Sequence, residues 1–147
     1  MKLHRLIYVS DQREYIEFTD LKEIMAKSET NNAELEITGL LLMIGQKFLQ
    51  VLEGSAAEVN SLYERILRDS RHKKIKLISY TPIHDRHFKD WSMKGINWSS
   101  IKPDIQSFLY KKYGQSEKVV TVPEDPWLAF SLLYDVYCNI HHGDGNK

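Results

Sequence analysis

Three polar side chains are expected near one end of the space between two predicted helices: Tyr8 in "LIYVS", Asn32 in the polar "SETNNAE", and Gln50 with apolar neighbours on both sides in "FLQVLEG". Burying a phenol or an amide costs free energy unless a partner takes up its hydrogen bonds. A carboxamide carries donors at one end and acceptor lone pairs at the other, so turning it over changes which partners it can serve. Two readings follow. The tyrosine and the glutamine satisfy each other in a core, or the pair orients a flat, polar ligand wedged between helices that carry Ile24 and Ile66.

A second group, Asp69, Arg71 and His72, falls just after a predicted helix. Such a loop is either plainly solvated or, with an arginine and an aspartate at the mouth of a pocket, able to hold phosphate and hydroxyl groups. Trp91 and Met93 are placed on one face of a last strand, as core packing or, because methionine repacks easily, as alternative occupants of one space. The six histidines include His84 with His87 and His141 with His142, but neither pair has a regular helix or a neighbouring cysteine to fix ligand geometry. No metal site is predicted. With no Ser-His-Asp order, glycine-rich phosphate loop or carboxylate pair, no catalytic residues are predicted and the chain is not read as an enzyme.

The elements that must position these residues alternate in type. Leu6–Val9 reads as a strand ending in the turn residues Ser10, Asp11 and Gln12. Asp20 and Glu23 form a capping box for a helix with Leu21, Ile24 and Met25 on one face, and Asn31 and Asn32 suit its last turn. Ile37–Ile44 and Phe48–Glu53 form a hairpin around Gly45. Ser55 and Glu58 cap a second helix through Val59, Leu62, Tyr63 and Ile66 to Asp69. Strands follow at Ile75–Tyr80 and around Trp91–Met93.

The order is that of an α+β fold: a ferredoxin-like β-α-β-β-α-β-β sheet with two helices on one face. Its first and third strands are expected side by side and parallel at the centre, roughly 4.8 Å apart, so that Tyr8 and Gln50 can share a hydrogen bond. Further on, a helix at 103–113 and the nearly all-round apolar "WLAFSLLYDVYCNI" require cover, assigned here to the open sheet face, with a second copy of the chain as the alternative. The predicted domains are 1–97, a C-terminal helical extension at 98–140, and a disordered tail at 141–147.

The 147 residues suit one domain, and 20 basic residues cancel 20 acidic ones, so no field attracts nucleic acid. One cysteine excludes an internal disulfide, and no apolar run is long enough for a membrane helix. A soluble, cytoplasmic protein is expected.

In order and spacing, "LIYVS", "NN" at 31–32, "ITGLL", "FLQVLEG", "DSRH" at 69–72 and "RHFKDWSM" at 86–93 resemble the BLUF domain, a blue-light sensor that binds flavin. The following helices resemble those of short, single-domain PixD-type members. The resemblance implies non-covalent FAD, with FMN as the alternative, and Tyr8 as the redox-active tyrosine beside a rearranging Gln50. It implies Asn32 on the flavin C4 carbonyl and N3 edge, Asn31 near the rings, Ile24 and Ile66 around them, Asp69 and Arg71 towards the ribityl and phosphate end, and His72 among the cofactor-binding residues. Trp91 and Met93 would carry the signal to C-terminal helices that mediate ring-like homo-oligomers and contact a downstream signalling protein. A ligand- or temperature-sensing assembly module without a photocycle is the other reading. A small flavin reductase ranks third, since no NAD(P)H site is apparent.

Overall fold

The computed structural model describes residues 2–13, 31–113 and 121–145, with 141–145 as backbone only. The predicted helix from Asp20, including Ile24, lies outside the described residues. Five strands form one sheet: β1 (Leu3–Gln12), β2 (Thr38–Ile44), β3 (Lys47–Ser55), β4 (His72–Ile83) and β5 (Ser92–Asn97), in the order β4-β1-β3-β2-β5. Helix α1 (Ala56–Leu67) follows β3, and α2 (Pro103–Tyr113) and α3 (Pro126–Gly145) follow β5 after a 3-10 turn at Trp98–Ser100.

Several boundaries follow directly from side-chain chemistry. The Ser55 hydroxyl accepts the Glu58 backbone N–H at 3.4 Å, so Ser55 is the N-cap that starts α1. Gly45, at φ 59°, turns the hairpin, and Lys47 already pairs with Ile44 across it. β1 runs through the expected turn to Gln12, where Asp11 faces Lys47 and the two side chains form an ion pair at 2.7 Å. β4 likewise begins early, so the basic residues after His72 belong to a strand.

β1 and β3 are central neighbours, as expected, but they run antiparallel rather than parallel. The crossover leaves β1 and β2 pointing the same way, and the tight hairpin then reverses β3, which inserts between them. The reversal does not disturb the chemistry, since Tyr8 and Gln50 are directly opposed in the ladder.

Strand alternation divides the core into two. On one face, Leu6, Tyr8, Leu41, Met43, Phe48 and Leu52 pack with Val59 of α1 and, in part, Leu62, Tyr63 and Ile66. On the other, Ile7, Val9, Leu40, Leu42, Leu49 and Val51 meet Leu109 of α2 and Ala129, Leu132, Leu133, Val136 and Tyr137 of α3. The apolar helix is therefore covered by the open sheet face, leaving Trp127 73% and Leu128 47% exposed at its start. Its backbone stays helical through Gly145, where the sequence predicts a disordered tail from 141.

Candidate functional site

Tyr8 is 0% exposed at the centre of the sheet, and its hydroxyl donates to Gln50 Oε1. With the acceptor end of the amide engaged, Gln50 Nε2 points to Met93 Sδ at 3.1 Å. Phenol, carboxamide and thioether thus form a chain from β1 through β3 to β5. Its last link is weak, because a thioether is a poor acceptor for an amide N–H. Burial pushes the Tyr8 hydroxyl well above the ordinary phenol pKa, with Tyr63 and Asp69 adding in the same direction and Arg71 opposing, so the phenol keeps its proton.

The sides of the site come from three further segments. His72 opens β4 edge-on to Tyr8 at 5.9 Å and to Phe48 at 4.9 Å, and its Nδ1 lies 2.9 Å from the Ser10 hydroxyl. Burial lowers the pKa of this imidazole, Asp69 raises it and Arg71 lowers it further. Residues 31–34 are helical and end in a paired-bond cap, with Ile37 N–H on Asn32 O at 2.9 Å, Glu36 N–H on Ala33 O at 3.2 Å, and Glu36 in the left-handed region at φ 56°. This cap fixes Asn32, which is buried, whereas Asn31 is exposed. Beyond α1, Arg71 Nε donates to both Asp69 oxygens at 2.8 and 3.0 Å, and the guanidinium holds the Asp69 carboxyl below its usual pKa.

Trp91 and Met93 are not on one face. Met93 belongs to the Tyr8 side, while Trp91 packs on the opposite side against Tyr137, with ring centroids 4.6 Å apart. The cause is a bulge: the β2–β5 register shifts between Gly39 and Leu40, and Met93 takes φ 116°, which breaks the two-residue alternation. Gly39 permits this approach, since a Cβ there would stand 2.0 Å from Val51 O and 3.1 Å from Met93 Cε. The two residues therefore do not share one space.

One buried cluster escaped the sequence reading. Glu53, 0% exposed, accepts from Arg5 Nε at 2.9 Å and from the backbone N–H groups of His87 and Phe88 at 2.8 Å each. Arg86 donates to Glu53 O at 2.8 Å, Thr38 Oγ1 at 3.0 Å and Glu36 O at 2.6 Å. The signal was available, because Glu53 ends the same apolar run that made Gln50 conspicuous. A cleft of about 970 Å³ lies elsewhere, near the hairpin and Trp98, and no predicted site residue lines it.

Residues 3–94 match the family model described as BLUF, sensors of blue-light using FAD. The chain belongs to the BLUF family. It is 34% identical over 124 residues to the photoactivated adenylate cyclase subunit beta of Euglena longa, covering 80% of this chain but only 14% of that one. The blue light- and temperature-regulated antirepressor BluF of Escherichia coli is 34% identical over 82 residues, or 54% of this chain and 20% of that one. Among solved structures, the dark state of BlrB, a BLUF protein, superposes with a TM-score of 0.73 at 27% identity, covering 94% of this chain and 97% of that one. Klebsiella pneumoniae BlrP1, solved with FMN and cyclic diGMP, gives 0.64 at 30% identity over 69% of this chain and 27% of that one. The chain thus spans a small part of the curated relatives it matches first. No helix among the described residues is long and apolar enough to cross a membrane.

The residues fit the flavin that BLUF domains bind. Among the described residues, the buried Gln50 N–H group has only a sulfur to address, so a ring edge rich in nitrogen and oxygen acceptors would serve it better.

Proposed function

We propose that this BLUF chain senses blue light through Tyr8 and Gln50, with FAD held non-covalently between α1 and the segment that carries Ile24. The observation behind this reading is the buried hydrogen bond from Tyr8 to Gln50 Oε1, which leaves the amide's donor end on Met93. Ile66 packs at the edge of that core and would line the ring site with Ile24. Asn32 and Asn31 would meet the ring edge, and Asp69, Arg71 and His72 the ribityl and phosphate side. FMN is the alternative ligand.

When bound, flavin supplies the absorption of blue light and an excited state that can take an electron from a phenol. Burial keeps Tyr8 protonated beforehand, so an electron lost from it is accompanied by a proton that the hydroxyl can hand on. Loss of an electron makes a phenol strongly acidic, and among the described residues its proton faces Gln50 Oε1. Return of electron and proton restores Tyr8. Rotation of the Gln50 amide, or its imide tautomer, then leaves a changed bonding pattern in which Met93 loses its N–H donor. Each hydrogen-bond change is worth about 0.5–1.5 kcal/mol. Two or three together can displace a two-state element, because ~1.4 kcal/mol alters a population tenfold. Met93 and Trp91 pass the change to α2 and α3, and these helices carry it to self-association and a partner protein.

The test is spectroscopic. Protein loaded with FAD should shift its absorption reversibly to the red under blue light, whereas a colourless protein or an unresponsive spectrum would refute the reading. The temperature-regulated E. coli relative supports a second reading, in which heat rather than light changes assembly. That reading predicts a temperature-dependent subunit count in protein without a photocycle.

A further inference from the structure

Residues 86–93 run between the two buried polar side chains of β3, Glu53 and Gln50. Their first part is tied to Glu53 through the backbone N–H groups of His87 and Phe88 and through Arg86 on Glu53 O. Their last residue, Met93, meets Gln50 Nε2. Between these ends the segment presents aromatic rings to α3: His87 lies edge-on to Phe130 and Tyr134, Phe88 to Phe130, Tyr134 and Tyr137, and Trp91 to Tyr137. Arg5, the cross-strand partner of Glu53, bonds the His87 ring and places its guanidinium 4.3 Å from the Phe130 centroid.

We propose that Glu53 is a positioning residue that couples the Gln50 site to α3, by holding one end of residues 86–93 fixed while Gln50 latches the other. The proposal rests on the photosensor reading above. With one end held by two N–H bonds to a carboxylate that Arg5 neutralises, a change at Met93 cannot slide the whole segment along β2, the strand that β5 pairs with. The displacement is instead taken up between the anchors, where Phe88 and Trp91 bear on α3. Without the fixed end, the same change at Gln50 would dissipate as drift of residues 86–88.

The experiment compares hydrogen exchange of α3 amides in darkness and under blue light, in the full FAD-loaded chain. The scored quantity is the light-minus-dark difference, because simple destabilisation raises exchange equally in both states. The unaltered protein should show a difference in α3. Glu53→Gln keeps an acceptor oxygen but removes the charge that Arg5 faces; it should retain the red shift and lose the α3 difference. Tyr137→Leu removes the ring that both Phe88 and Trp91 meet, without altering β3; it should behave alike, and decides the matter if Glu53→Gln fails to fold or to hold FAD. An undiminished α3 difference in the deciding variant overturns the proposal, as does a red shift in the unaltered protein with no response in α3. Absence of any red shift is the separate signature that the sensor reading itself has failed, and it removes the coupling with it.

Discussion

β3 buries one strongly polar side chain on each face of the sheet, and the two are provided for very differently. Among the described residues, Glu53, facing α3, has a guanidinium and two backbone N–H groups, while Gln50, facing α1, has a phenol and a sulfur. A fully served buried group locks its surroundings, because every alternative loses a strong bond. An amide with one poor partner has a near-equivalent alternative available. Three residues of one strand thus separate a permanent joint from a changeable one.

The largest expected effect concerns the changeable side. Tyr8→Phe should retain flavin and lose the red shift entirely, as read by difference spectroscopy under blue light; a normal photocycle would remove Tyr8 from its assigned role. Next, Glu53→Ala should lower unfolding free energy by about 3–5 kcal/mol, since it strands the guanidinium of Arg5, whereas Gln50→Ala, which strands only the neutral Tyr8 hydroxyl, should cost about 1–3 kcal/mol. Similar values in denaturant titration would abolish the contrast between the two. Leu132→Ala, on the fully buried face of α3, should cost about 2–5 kcal/mol without changing the absorption spectrum.

A smaller effect is set by pH. His72 has its pKa lowered from 6.5 by burial, so below about pH 6.5 the unfolded chain binds a proton that the folded chain refuses. Stability should therefore be level above that pH and fall as acid is added, down to the lowered folded value. His72→Gln should flatten this window, while the loss from Asp69, whose pKa is lowered from 3.8, should appear only in stronger acid. Smallest of all, Trp127→Ser at an exposed position should change monomer stability by less than about 0.5 kcal/mol.

Much of this arrangement was legible because it depends on periodicity and on caps. The hairpin, the α1 N-cap, the limits of α2 and the closeness of Tyr8 to Gln50 all follow from residue types at short range. The strand direction was misread because adjacency was inferred from crossover handedness while the reversal imposed by the hairpin was left out. Trp91 and Met93 were misassigned because strict alternation fails at a bulge, and nothing in "DWSMKG" announces a positive φ at methionine. The role of Glu53 depends on contacts from Arg5 and residues 86–88, more than thirty positions away along the chain, which no local pattern encodes.

The open margin of the sheet at β4 has its own consequence. It carries Lys73, Lys74 and Lys76 within a long, largely exposed strand that also contains Pro82, and the opposite margin, β5, is short and bulged. Two copies meeting along β4 would crowd ammonium groups together, and the proline lacks the N–H that such a ladder needs. Lateral growth into a continuous β-structure is thereby discouraged at both borders, and any association of copies is left to the helical surfaces.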